Sequence, residues 1–194
     1  MAVTKRIFEV CKDYFNDPSK KIAELGSQYV MEGDWGGYGP PFFKNIFSNL
    51  DITSFDFVIE NDCKFLDLTK ELPIEYKEQY DIVTNFGTTE HVQVQHICWK
   101  NVFDMTKPGG IVINTIPKKG SWVNHCKYYF DESSFESMSS DFEIIEMKDI
   151  IDNENGALIY CVQKRINDGE FKTTEDKLMK TVDVDHSYVD HIGH

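Results

Sequence analysis

Over residues 4–15 the apolar positions Ile7, Phe8, Cys11, Tyr14 and Phe15 recur at helical spacing opposite a charged face, which predicts an amphipathic helix. Asn16-Asp17-Pro18-Ser19 ends it. A different pattern follows. Residues 21–26 form a short apolar run closed by a glycine, which predicts a buried strand. Similar short runs recur at 52–57, 64–66, 80–85 and 110–116, with helical patterns over 42–50 and 92–105 between them. Strands alternating with helices in this way predict a parallel sheet covered on both faces.

The later part of the chain changes pattern. Asp131 is a candidate N-cap for a helix over 130–140, and two closing strands at 142–147 and 157–162 flank the turn-forming stretch from Asp152 to Gly156, an arrangement suited to an antiparallel hairpin. Residues 33–41, GDWGGYGPP, are too rich in glycine and proline for regular structure and read as a loop or lid. Three parts are expected: an N-terminal helix over 1–19, one α/β domain over 20–165, and an acidic, poorly ordered tail over 166–194.

At 194 residues the chain suits one core and is short for two. Its net charge of -13 opposes contact with phosphate backbones and anionic lipid, so nucleic acid and membrane are disfavoured partners. The five cysteines are widely spaced with no CxxC pair, which speaks for reduced thiols and against a zinc or redox centre. With no apolar leader at the N-terminus, the cytoplasm is the expected compartment. Oligomeric state has no signature in the sequence.

In an open parallel sheet the ligand sits beyond the carboxyl ends of the strands, near the point where strand order reverses. The residues following each apolar run are therefore the candidates: Glu24, Gly26, Ser27 and Gln28, then Asp56, then Asp67 and Leu68, then Asn85, Phe86 and Gly87. Around the fourth run the pattern becomes specific. YDIVTNFGTTEHVQ, a helix ending in FDMTKPGG, and IVINTIP together resemble the second half of a class I, S-adenosylmethionine-dependent methyltransferase domain. Order and spacing carry the likeness more than any single piece.

That resemblance implies a doubly wound, mostly parallel seven-stranded sheet with S-adenosyl-L-methionine as cofactor and a small-molecule methyl acceptor. Glu24, Gly26 and Ser27 would meet the methionine half of the cofactor, and Asp56 the ribose hydroxyls, with Glu60 and Asp62 as competitors. Asp67 and the Leu68 backbone would contact the adenine, and Asn85 and Phe86 would line the sulfonium. The first turn departs from the family by offering one glycine in Glu24-Leu25-Gly26-Ser27-Gln28-Tyr29.

For the acceptor side, His125 and His91 are the candidate general bases, with Trp35 and Tyr38 as a possible lid. Each has a plainer alternative. Glu90-His91 also reads as a structural helix start, His125 as a loop histidine, Asp67 as an exposed cap, and Trp35, Tyr38, Phe42 and Phe43 as a core plug. Lys107-Pro108-Gly109-Gly110 reads as a tight turn without chemistry. No metal site is expected: Asp183, Asp185, His186, Asp190, His191 and His194 have metal-ligand chemistry but lie in the tail. The expected reaction is methyl transfer to an oxygen or nitrogen of a small molecule such as a sugar or biosynthetic intermediate. A non-catalytic scaffold on the same fold is the alternative. A nicotinamide-dependent oxidoreductase lacks its GxGxxG signature here.

Overall fold

Apolar runs with no polar face must be covered on both sides, and the fold does this with a central sheet. The computed structural model describes residues 2–27, 29–30, 37–38, 50–60, 62–153 and 156–188. In chain order its strands are β1 (Ala2–Val3), β2 (Lys21–Leu25), β3 (Tyr29–Val30), β4 (Gly37–Tyr38), β5 (Asp51–Asp56), β6 (Lys64–Phe65), β7 (Tyr80–Asn85), β8 (Thr106–Pro117), β9 (Tyr128–Tyr129), β10 (Phe142–Asn153), β11 (Gly156–Arg165) and β12 (Asp183–Val184). The helices are α1 (Lys5–Cys11), α2 (Gln95–Met105), α3 (Glu132–Glu136) and α4 (Glu175–Met179). None of the described helices is long and apolar enough to cross a membrane.

Seven strands join in the order β10-β11-β8-β7-β2-β5-β6. The five from β2 to β8 in this sheet run parallel, and β11 pairs antiparallel with both β8 and β10, so the expected hairpin closes one edge. Successive residues of each strand face opposite layers. Ala23, Val83 and Val112 pack with Trp99, Val102 and Phe103 of α2. Their neighbours Ile22, Ile82 and Ile113 pack on the other face with Ile7, Cys11 and Phe15, so the N-terminal helix is a covering layer of the sheet.

The chain builds β5 and β6 on one side of β2, then returns to lay β7 and β8 on the other. Strand order therefore reverses between β2 and β7. Leu25 lies in register with both Phe55 and Asn85, and Asn85 with Asn114, so the carboxyl ends of the central strands form one row.

Several boundaries differ from the sequence reading. The helix expected over 92–105 starts at Gln95, because Thr89–His91 forms a separate 3-10 turn and the Gln95 amide donates to the Thr89 and Val92 carbonyls at 2.6 and 2.7 Å. Lys107-Pro108-Gly109-Gly110 lies inside β8 as a bulge, since pairing with β7 jumps from Tyr80↔Thr106 to Ile82↔Ile111. Glycine is required there twice over. Gly109 has φ +77°, and a Cβ at Gly110 would meet the Asp81 carbonyl oxygen at 3.0 Å. Asp131 does cap α3, forming a capping box with Ser134, although the helix is shorter than expected.

The segment 33–41, expected to be irregular throughout, contributes Gly37–Tyr38 as a strand pairing with β3. Trp35, Phe42 and Phe43, and all but Leu50 of the helix expected over 42–50, lie outside the described residues.

The largest correction concerns the tail. From Asn167 to Tyr188 the chain is docked rather than loose: Thr173, Leu178 and Val182 are buried, and β12 pairs with β9. Asp141 is the anchor, its carboxylate accepting from the Lys172 and Thr173 N–H groups, both at 2.8 Å, and from the Thr173 hydroxyl at 2.6 Å. Residues beyond 188, with Asp190, His191 and His194, lie outside the described residues.

Candidate functional site

The end of β2 turns sharply. Gly26 takes φ +76°, a left-handed conformation that costs other residues a Cβ clash, and its N–H donates to the Phe55 carbonyl at 2.7 Å. Ser27 then donates its N–H to Asp56 Oδ2 at 2.7 Å, while Asp56 Oδ1 accepts from the Val58 N–H at 3.0 Å. Asp56 thus clamps the β2 turn to the end of β5. A carboxylate offers about four acceptor positions. Two remain after these bonds. Its competitors Glu60 and Asp62 are exposed residues of the following loop. Ser27 Oγ is buried and has no hydrogen-bond partner among the described residues.

Glu24 lies inside β2, not at its end, and is 1% exposed with its carboxylate accepting from Ser54 Oγ on the neighbouring strand. It braces the strand beneath the turn. Asp67 joins the row through its neighbour, because the Leu66 N–H donates to the Asp56 carbonyl at 2.9 Å. Its Oδ1 accepts from the Thr69 N–H at 2.9 Å and the Thr69 hydroxyl at 2.6 Å, which makes it the cap of an Asx turn, with no hydrogen bond to Oδ2 among the described residues. Leu68 is buried in the core, and its carbonyl accepts from Asn101 Nδ2 at 3.1 Å.

Asn85 and Phe86 do not present side chains to the crevice. The Asn85 amide donates to Thr89 Oγ1 at 2.9 Å and Asn114 Oδ1 at 3.0 Å and accepts from the Thr88 and Thr89 N–H groups at 3.3 and 3.2 Å, so its capacity is spent inside the protein. Phe86 is fully buried in the core layer under α1. The ring expected beside a sulfonium is a packing residue.

The β7 end contributes two residues, Thr88 and Glu90, that the sequence reading took as purely structural. Thr88 Oγ1 donates to the Leu25 carbonyl at 2.7 Å, tying the turn after β7 to the end of β2. Glu90, read as a helix-dipole residue, is fully buried, and neither carboxylate oxygen accepts a hydrogen bond among the described residues. Burial pushes its pKa up to about 7. The signal for it was a carboxylate directly beside an imidazole just past a strand end.

His91 and His125 come together here. Their rings meet edge to face with centroids 5.4 Å apart, and Trp122 packs on His125 at 5.3 Å. Burial lowers the His125 pKa, favouring the neutral ring, and its Nε2 has no hydrogen-bond partner among the described residues. The loop carrying His125 is fixed by Tyr129, whose hydroxyl donates to the Trp122 carbonyl at 2.8 Å and accepts from the His125 N–H at 3.2 Å. Trp122 and Asn124 hold φ of +56° and +61°, so the loop is kept in a left-handed conformation that side chains resist.

Comparison with solved structures gives this architecture its class. The chain superposes on the [4+2]-cyclase SpnF with a TM-score of 0.63 at 12% identity, covering 81% of this chain and 78% of that one. It superposes on the 1,6-didemethyltoxoflavin-N1-methyltransferase of Burkholderia thailandensis, solved with S-adenosylhomocysteine, with a TM-score of 0.60 at 10% identity, covering 82% and 76%. The N-methyltransferase NodS of Bradyrhizobium japonicum WM9, also with S-adenosylhomocysteine, matches with a TM-score of 0.55 at 10% identity, covering 84% and 89%. The sequence itself matches no protein-family model and no curated protein. The fold is therefore the Rossmann-like fold of the S-adenosylmethionine-dependent methyltransferases. A neighbour named as a cyclase on the same fold means that the reaction has to be argued from the site.

Proposed function

We propose that this chain is an S-adenosylmethionine-dependent methyltransferase acting on an oxygen or nitrogen of a small molecule. The observation that carries the reading is the clamp of Gly26, Ser27 and Asp56 beside the point where strand order reverses. A glycine at positive φ leaves room for close backbone approach, the Asp56 carboxylate keeps acceptor positions for paired hydroxyls, and the buried Ser27 Oγ lacks a partner that a ligand would supply. These features fit the cofactor. Asp67 Oδ2 and the Leu68 backbone are the candidates for the adenine, and Glu24 supports the turn from below.

The bound cofactor supplies a methyl group on a positively charged sulfur, already activated for displacement. The chain's part is then mostly positioning. The acceptor enters on the β7 and β8 side, where His91 and His125 meet its nucleophilic atom, next to the Thr88 contact that joins this side to β2. A net charge of -13 supports a small molecule over nucleic acid as acceptor. Five free, buried cysteines support a reducing, cytoplasmic setting.

Two observations favour the scaffold alternative: the first turn has a single glycine, and Asp67 already caps its own turn. Calorimetric titration with S-adenosylhomocysteine separates the two. Saturable binding that weakens in Asp56→Ala is expected. Absence of binding at millimolar ligand would leave the scaffold.

A further inference from the structure

Glu90, His91 and His125 stand together, and neither Glu90 carboxylate oxygen nor His125 Nε2 has a hydrogen-bond partner among the described residues. Glu90 and His91 come from one 3-10 turn after β7, and His125 from the braced loop after β8. One ligand-type atom from each lies within 4.8 Å of the other two. His91 Nε2 lies 3.8 Å from Glu90 Oε1, too long for a hydrogen bond. Yet the two groups face each other in a buried setting, Glu90 fully enclosed and the His91 side chain 15% exposed.

A buried carboxylate without a donor is costly unless something positive offsets it. Among the described residues the neighbours are aromatic: Trp122 lies on His125, and Tyr188 lies 6.5 Å from His91. His125 Nε2 has no hydrogen-bond partner among the described residues, and an imidazole nitrogen is a common metal ligand.

We propose that Glu90, His91 and His125 bind a divalent transition-metal ion of the zinc or manganese type, with its open coordination positions facing the acceptor. Two imidazoles and a carboxylate suit such ions, and three protein ligands leave room for an exchangeable one. Metal–ligand distances of about 2.0–2.2 Å require ligand atoms about 3–3.5 Å apart, so closure by roughly an ångström of side-chain rotation completes the set. This proposal rests on the methyltransferase reading for the purpose of the ion: it would hold a lone-pair atom of the acceptor and lower its pKa. His91 and His125 then act as ligands in place of general bases. Metal binding itself does not depend on that reading.

The test uses the full chain, freed of metal by chelation and titrated with Zn2+ by calorimetry and with Co2+ by visible absorption. One tight equivalent is expected, with absorption bands showing nitrogen ligation. Glu90→Gln and His125→Ala should each weaken binding at least tenfold, whereas a variant with His186, His191 and His194 all changed to alanine should keep it. His125 stands on a partly exposed loop, so His125→Ala reports even where Glu90→Gln alters folding. Binding unchanged in both site variants, or lost in the tail variant alone, overturns the proposal, as does no binding at micromolar metal. S-adenosylhomocysteine titration of the same samples is read separately. Cofactor binding without metal removes only this inference, and metal binding without cofactor removes only the methyltransferase reading.

Discussion

The Ser27 N–H reaches the Asp56 carboxylate at 2.7 Å across 29 positions of sequence, and the other oxygen of the same carboxylate takes the Val58 N–H at 3.0 Å. Two turns at the ends of adjacent strands thus depend on one side chain. Asp56→Ala should cost about 1–3 kcal/mol of stability, the range for orphaning donors of a charged acceptor. Chemical denaturation measures that loss. Cofactor affinity should fall at least tenfold in the same variant, and loss of stability with unchanged affinity would make Asp56 purely structural.

Gly26 offers a sharper separation. At φ +76° a Cβ costs about 1–2 kcal/mol of left-handed strain. Gly26→Ala should therefore remain folded. Because the same Cβ would stand at the close approach expected for the ligand, S-adenosylhomocysteine binding should drop by far more than the stability change accounts for. Proportionate losses in the two titrations would show that Gly26 only ends a strand.

Asp81 contributes to stability on the acid side. Burial raises its pKa, but the Lys107 ammonium and the Lys21 N–H, each 2.9 Å from Oδ2, outweigh that and hold the carboxyl below 3.8. The folded pKa lies below the unfolded one, so the stabilisation is complete above the ordinary aspartate range and is lost as pH falls through the folded value. Asp81→Asn should melt lower than the parent near neutrality, with the gap closing in acid. A gap independent of pH in thermal melts would refute the charge argument.

Asp141 should control the C-terminal segment. Its carboxylate carries the N–H groups of Lys172 and Thr173, and the His96 ring hydrogen-bonds the Thr173 carbonyl at 2.9 Å. In Asp141→Ala, amide exchange should accelerate across residues 172–188 while β7 and β8 stay protected. Uniform acceleration over the whole chain would show that the segment is part of the global fold and not a docked strap.

Much of the sheet was legible because strand and helix periods are local. The run Tyr80–Asn85 coincides with β7, and the other apolar runs fall on strands in the expected order. The bulge at Lys107 to Gly110 was also visible as a glycine-rich turn, though not its place inside a strand, which depends on pairing with β7. The tail misled for a related reason: its polar composition is real, but Asp141 captures it through partners about thirty positions away in sequence.

At the site the division is similar. By itself the sequence determined the order of elements, the single glycine of the first turn and the acidic residue closing the second strand. Backbone conformation and strand period are written in neighbouring residues. Only the tertiary structure decided that Asn85 and Phe86 spend their side chains inward and that the Glu90 carboxylate is sealed without a hydrogen bond among the described residues. It alone brings His125 against His91. Such facts depend on which distant segments exclude water from a given atom, and no local spacing encodes that.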